Sequence, residues 1–273
     1  MYRRRVATPA HDYQAIVDAM AELVTEAERS LGAQGSVGIC TPGALSQRTG
    51  LLKNSNTQCL NGRTPHLDLG ARLGREIRLE NDANCFALSE AVDGVGRGAP
   101  LVFGVILGTG VGGGIVVHGR CLVGCNAIAG EWGHIPLPYP DASDLPAPPC
   151  YCGRAGCVET YLCGRGLRED HARHSGEQRS ADEIAARASA GDAAAQLSIE
   201  RYAERLARAL SLVINVLDPH VIALGGGLSQ IEALYQLVPA ALPRYVFSDE
   251  VATRVLRAEH GDSSGVRGAA WLW

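Results

Sequence analysis

The sequence predicts an α/β fold, and three features carry that prediction. Apolar, strand-like runs alternate with segments of helical periodicity. Two of those runs lead straight into glycine turns: Leu101–Leu107 into Gly108-Thr109-Gly110, and His220–Leu224 into Gly225-Gly226-Gly227. Hydrophobic residues make up 46% of the 273 positions, enough for a substantial core and too many for a disordered chain.

Taken in order, residues 13–31 place Ile16, Met20, Leu23, Val24 and Ala27 at helical spacing, with Gly32 and Gly35 closing the helix. Ser36–Cys40 reads as a short buried strand stopped by Thr41-Pro42-Gly43. Residues 46–65 are polar and turn-rich, hence a loop, and His66–Leu73 is a short helix. Glu76–Glu80 alternates as a strand that ends at Asn81-Asp82, and Ala83–Val92 is helical. After the strand Leu101–Leu107, residues 108–114 read as a glycine turn and Ile115–Gly119 as the second strand of a hairpin. A proline-rich loop covers 136–149. From Glu159 to about Leu217 the pattern is helical, with alanine-rich segments at 182–197 and 199–216, stopped by Asp218-Pro219. The strand His220–Leu224, a helix over Ser229–Leu242, a strand near 251–258 and a short terminal helix complete the chain.

The length suits one large domain or two ordinary ones. A net charge of −4 implies no basic face for nucleic acid. Lys53 is the only lysine. The basic start Met1-Tyr2-Arg3-Arg4-Arg5 is followed by no apolar run, so neither a signal peptide nor a membrane span is expected. Nine cysteines without framework spacing suggest free thiols, one metal site and a cytoplasmic protein.

The metal site is the most specific signal. His134 and the run Cys150-x-Cys152-x4-Cys157 offer one imidazole and three thiols, a set that zinc takes in closed structural sites. Gly153 and Gly156 favour a tight knuckle over a strand or helix, which sets the metal reading above three small buried residues. Glu131 and Glu159 flank the cluster in sequence.

Gly108, Gly110 and Gly113 fit a dinucleotide fingerprint, but a strand follows where that motif must open a helix, so the reading fails. A phosphate-cradling hairpin with the Thr109 hydroxyl and a hairpin without ligand both remain. Gly225-Gly226-Gly227 lies where open α/β sheets bind ligands, though taken alone a tight turn suffices. Asp82 is placed for general-base work, yet spacing alone favours a helix cap.

The whole pattern resembles the ROK sugar kinases. The residues that carry the resemblance are Gly130-Glu131-Trp132-Gly133-His134 with the cysteine knuckle, Leu79-x-Asn81-Asp82-Ala83-Asn84, Leu107–Gly114, Leu224–Gly227 and the tail His260–Ala270. Within the family, Val37-Gly38-Ile39-x-x-Pro42-Gly43, Lys53-Asn54-x-Asn56 and Leu60-Asn61-Gly62 look closest to bacterial fructokinases of the manno(fructo)kinase type, with N-acetylglucosamine kinases as near relatives.

The resemblance implies an actin-like ATPase (ribonuclease-H-like) two-domain fold. Residues 1–82 with the terminal helix 261–273 would form the small domain, and 83–260 the large one. It implies phosphoryl transfer from MgATP to the 6-hydroxyl of a hexose, with fructose favoured. N-acetylglucosamine, glucose and mannose are the alternatives. Asp82 would accept the hydroxyl proton. Gly43, Asn56, Asn81, Glu131, His134 and Glu159 would bind the sugar; Thr109, Gly110, Gly226 and Gly227 would hold the nucleotide. Structural Zn²⁺ would sit on His134, Cys150, Cys152 and Cys157, with the second ring nitrogen of His134 turned toward the sugar. A homodimer is expected, since relatives often pair.

One departure stands out. These kinases open with an Asp-x-Gly-Gly-Thr phosphate turn that is not in this sequence, and Arg3–Thr8 reads as their third strand. The small domain is therefore expected to be truncated. A gene start placed too late is the favoured reading, ahead of a shortened polypeptide and a non-catalytic sugar binder. ROK repressors carry an N-terminal helix-turn-helix, for which there is no room before residue 13.

Overall fold

A computed structural model describes residues 2–273. Its larger sheet has five strands in the order β7-β6-β5-β8-β9. These are β5 (Leu101–Leu107), β6 (Val111–Val117), β7 (Arg120–Cys121), β8 (Val221–Gly225) and β9 (Arg254–Arg257). β5 runs antiparallel to β6 and parallel to β8, with Ile106 opposite Gly225. A two-stranded parallel sheet pairs β1 (Val37–Thr41) with β4 (Ile77–Asn81), and a small hairpin joins β2 (Ala44–Leu45) to β3 (Leu52–Lys53).

Side chains alternate across β5. Phe103, Val105 and Leu107 enter a core with Leu206 and Leu210 of the long helix α7 (Ala193–Leu217). Val102 faces the other way, onto Ala87 and Ala91 of α3 (Asp82–Val92). Both sheet faces are thus covered, as a largely buried sheet requires. The first core is completed by α4 (Val158–Leu162), α5 (Gly164–Ser175), α6 (Ala181–Ser189) and α8 (Leu234–Ala241). On the small sheet, α1 (Tyr13–Leu31) and α2 (Pro65–Leu73) bury Ala21, Leu69 and Ile77. The terminal helix α9 (Ser264–Ala270) is wedged between β1 and α3. A Cβ on Gly268 would lie 1.7 Å from the Cys85 carbonyl oxygen, and one on Gly38 would lie 1.8 Å from that of Ala269, so only glycine fits.

Several expectations shift. Arg3–Thr8 is not a strand: the segment has no regular secondary structure and is exposed, and Arg3 and Arg5 pair with Asp262. Three consecutive arginines provide no apolar alternation to bury. The glycine turn is shorter than its sequence suggests, because Gly112, Gly113 and Gly114 lie inside β6. They are glycines because α3 and Trp132 press on that strand. Added Cβ atoms would stand 3.3 Å from Ala83 Cβ, 2.6 Å from Trp132 Cδ1 and 2.5 Å from the Ala83 carbonyl oxygen respectively. The alanine-rich segment 182–197 is broken at 190–192, where Gly191 has φ +91° and Asp192 caps α7 by accepting from Ala195 N–H at 2.9 Å. The helix expected over Ser229–Leu242 is a short 3₁₀ turn (Gly227–Gln230) followed by α8. The loop at 46–65 contains β3 and a 3₁₀ turn (Gln58–Leu60).

Candidate active site

The site is assembled where β4 runs into α3. Asn81, the last residue of β4, is the helix cap. Its side-chain oxygen accepts from Ala83 N–H at 2.9 Å and Asn84 N–H at 3.2 Å, and its amide donates to the Gly43 carbonyl at 2.9 Å. Such a cap contributes about 1 kcal/mol. It also clamps the β1–β2 turn, where Gly43 (φ +85°) packs so tightly that a Cβ would lie 2.3 Å from the Lys53 carbonyl oxygen. Capping thus falls to Asn81 and not to Asp82, against the expectation from spacing alone. Asp82 becomes the first residue of α3, and its Oδ1 accepts the adjacent Ala83 N–H at 2.9 Å.

Burial raises the Asp82 pKa above the ordinary aspartate value; hydrogen bonds from the Ala83 and Asp82 N–H groups and the Asn81 amide only partly offset it. Glu131 is raised too, mainly by the surrounding protein, while the nearby charges of Asp82 and Glu159 push up and those of His134 and Lys53 pull down. Water still reaches both carboxylates. Two further acids, an imidazole and the single lysine therefore lie within electrostatic reach of Glu131. Lys53 Nζ is steadied by the Asn126 carbonyl at 2.9 Å. Sequence reasoning placed Lys53 only among the residues of the resemblance and gave it no role in the site, because only the fold brings it near Glu131.

Glu159, the second residue of α4, reaches across to the first glycine turn. Its Oε2 accepts from Val111 N–H at 3.0 Å, and a Cβ on Gly110 would stand 2.8 Å from that oxygen. The turn itself is closed by Gly108 N–H donating to the Gly110 carbonyl at 3.0 Å, and Thr109 is exposed at its tip. At the neighbouring strand end, Gly226 (φ +83°) passes so close to β5 that a Cβ would lie 2.3 Å from the Leu107 carbonyl oxygen, and Gly227 is open. β5 and β8 are parallel neighbours, so both glycine turns occupy the same end of the sheet. Asn56 lies exposed in the loop after β3, which Asn61 shapes through hydrogen bonds to Ser55 N–H and its carbonyl, both 2.9 Å.

His134, Cys150, Cys152 and Cys157 come together, with one donor atom from each lying within 4.8 Å of every other. Cys150 Sγ is 3.6 Å from His134 Nδ1, and the Cys152 and Cys157 sulfurs are also 3.6 Å apart. Tetrahedral bonds of ordinary zinc length would set an S···N edge of about 3.6 Å and an S···S edge of about 3.8 Å. The four side chains therefore fit a closed zinc knuckle, and the sulfurs stand too far apart for a disulfide. The loop between these ligands is anchored from behind. Asp144, fully buried, accepts from Arg205 Nε at 2.7 Å and Arg208 Nη1 at 2.9 Å, and Arg205 also pairs with Asp170 at 2.7 Å.

The structure has the actin-like ATPase fold of solved sugar kinases, with two glycine turns at its parallel strand ends, and this places it in the sugar-kinase class. The chain belongs to the ROK family, which it matches over residues 1–273. It is 43% identical over 275 residues to an N-acetyl-D-glucosamine kinase of Salmonella gallinarum, covering 99% of this chain and 91% of that protein. The same enzyme of Escherichia coli O6:H1 is likewise 43% identical. Among solved structures, the ROK hexokinase of Thermus thermophilus superposes with a TM-score of 0.85 at 32% identity, covering 97% of this chain and 88% of the other. A ROK glucokinase of Streptomyces griseus, in complex with glucose and AMPPNP, gives 0.76 at 28%, covering 98% and 89%. No helix among the described residues is long and apolar enough to cross a membrane.

Proposed function

We propose that this sugar kinase transfers the γ-phosphoryl group of MgATP to the 6-hydroxyl of N-acetylglucosamine. The observation that carries the choice of sugar is the 43% identity to N-acetyl-D-glucosamine kinases across 99% of the chain. It moves the preference away from fructose, which rests on three short segments around residues 37–62.

Asp82 accepts the hydroxyl proton as the new O–P bond forms and the bond to the β-phosphate breaks, with ADP leaving. Its raised pKa brings the base nearer to working pH, which favours proton transfer. Asn56, Asn81, Glu131, His134 and Glu159 bind sugar hydroxyls, with the backbone at Gly43 beside them. Thr109, Gly110, Gly226 and Gly227 take the nucleotide. Phosphoryl transfer depends mainly on positioning and charge stabilisation, which suits this set. Zinc, when bound, pins the two loops that carry Glu131, His134 and Glu159, so those side chains meet the sugar in fixed positions.

A coupled ADP-release assay with N-acetylglucosamine, glucose, mannose and fructose tests the reading. The highest kcat/KM is expected for N-acetylglucosamine. A preference for fructose would restore the alternative, and sugar binding without ATP turnover would identify a non-catalytic binder.

A further inference from the structure

Tyr151 stands between two of the knuckle ligands, Cys150 and Cys152, and is 81% exposed. An exposed tyrosine is ordinarily free to point into water. This one instead sets its ring and hydroxyl against His134. Its ring meets that of His134 edge-on, with centroids 5.1 Å apart at 86°, and its Oη lies 2.9 Å from His134 Nε2.

The other ring nitrogen, Nδ1, faces Cys150 Sγ on the metal side of the cluster. A metal ligated through Nδ1 leaves the ring proton on Nε2. Nε2–H is therefore the donor and the tyrosine oxygen the acceptor. The carboxylates of Glu159 and Glu131 lie close enough to act on the same hydroxyl. Chemically, a neutral hydroxyl oxygen is bonded to the imidazole N–H, within electrostatic reach of two carboxylates. That is the environment the proposed function assigns to a hydroxyl of the substrate.

We infer that Tyr151 is an internal placeholder in the acceptor site, whose hydroxyl occupies the His134 Nε2–H until a hexose hydroxyl displaces it. The inference rests on the reading of His134 as a sugar contact. Sugar binding then exchanges one hydroxyl for another at His134, and the displaced tyrosine hydroxyl is left to water. The exchange weakens sugar affinity by the net value of one intramolecular hydrogen bond. In the empty site, the same bond holds the imidazole in its binding orientation.

The test is calorimetric binding of N-acetylglucosamine, glucose and fructose to zinc-loaded protein without nucleotide, comparing wild type with Tyr151→Phe. Phenylalanine keeps the ring against His134 and removes only the competing oxygen. Kd is expected to fall about three- to tenfold for each sugar bound, the range of a net hydrogen bond. Tyr151→Ala should shift Kd in the same direction. A Kd that stays within twofold of wild type, or rises, overturns the inference while leaving His134 as a sugar contact. Loss of zinc from Tyr151→Phe, read by elemental analysis, would also overturn it, by making the residue part of the knuckle's scaffold. No binding of any sugar by either protein would sink the acceptor-site reading itself.

Discussion

Replacing Asp144 by asparagine should destabilise the protein well beyond the loss of one hydrogen bond. Asp144 is 0% exposed, and Arg205 and Arg208 are each 3% exposed. Arg205 would keep Asp170 as a counter-ion at 2.7 Å. Among the described residues Arg208 has no second carboxylate; beyond Asp144 it is left with the Tyr139 carbonyl, and its Nε already lacks a partner there. Breaking a buried pair so that one charge stays uncompensated costs about 3–5 kcal/mol. With an unfolding entropy of about 0.57 kcal/mol/K for a chain of this size, Tm should fall by about 5–9 °C.

The pH dependence has a definite sign. Burial pushes the Asp144 carboxyl up, but hydrogen bonds from Arg208, the Asp141 N–H and Arg205 outweigh it and hold the pKa below the usual 3.8. The pair's stabilisation is therefore full above the unfolded aspartate pKa and lost as pH falls through the lowered folded value. The Tm gap between wild type and Asp144→Asn should stay constant from pH 8 to about pH 5 and close only in strong acid. Differential scanning calorimetry across that range measures it. Adding Arg208→Met removes the stranded charge, so the double variant should be more stable than Asp144→Asn alone. Strictly additive losses in the double variant, or a single-variant Tm drop under 2 °C, would refute the reasoning.

Asp82→Asn should lower kcat by about 10²–10⁴-fold, the usual range for a general base. The same variant should unfold at a slightly higher temperature at neutral pH. A carboxyl with a raised folded pKa loses stability as pH rises through that value, and the amide escapes this loss. In wild type, kcat/KM should fall on the acid side through a pKa above 3.8, since the proposed base must be ionised; an acid limb that persists unchanged in an active Asp82→Asn protein would remove Asp82 from the role. Cys157→Ser should lose bound zinc, read by elemental analysis, and weaken sugar binding more than ten-fold through the Glu131, His134 and Glu159 loops, in the upper range for disturbing a metal centre.

What was legible in the sequence is what local patterns encode. The zinc-type knuckle was readable because three ligands and two glycines fall within eight residues, Cys150 to Cys157. β5 and β8 were readable because their buried apolar runs end in glycine. β6 was seen only in its second half: glycine is a poor strand former, and the reason for it here is the close passage of α3, which local sequence does not carry. The Asp144–Arg205–Asp170 network joins residues 35 to 61 positions apart, so it leaves no local signature. Tyr151 and the place of Lys53 beside Glu131 were missed on the same ground, since their significance lies in what the fold places opposite them.

The helix α3 carries Asp82 at one end. At its other end, the fully buried Glu90 accepts hydrogen bonds from Glu259 N–H at 3.0 Å, His260 N–H at 3.4 Å and Ser264 Oγ at 2.9 Å. The proposed base and this tail clasp thus sit on one rigid lever. Any closing motion of the cleft that displaces Asp82 must carry residues 259–264 with it, or break the clasp. A spectroscopic label near residue 262 would then report on the cleft from the far end of the same helix, without touching the site.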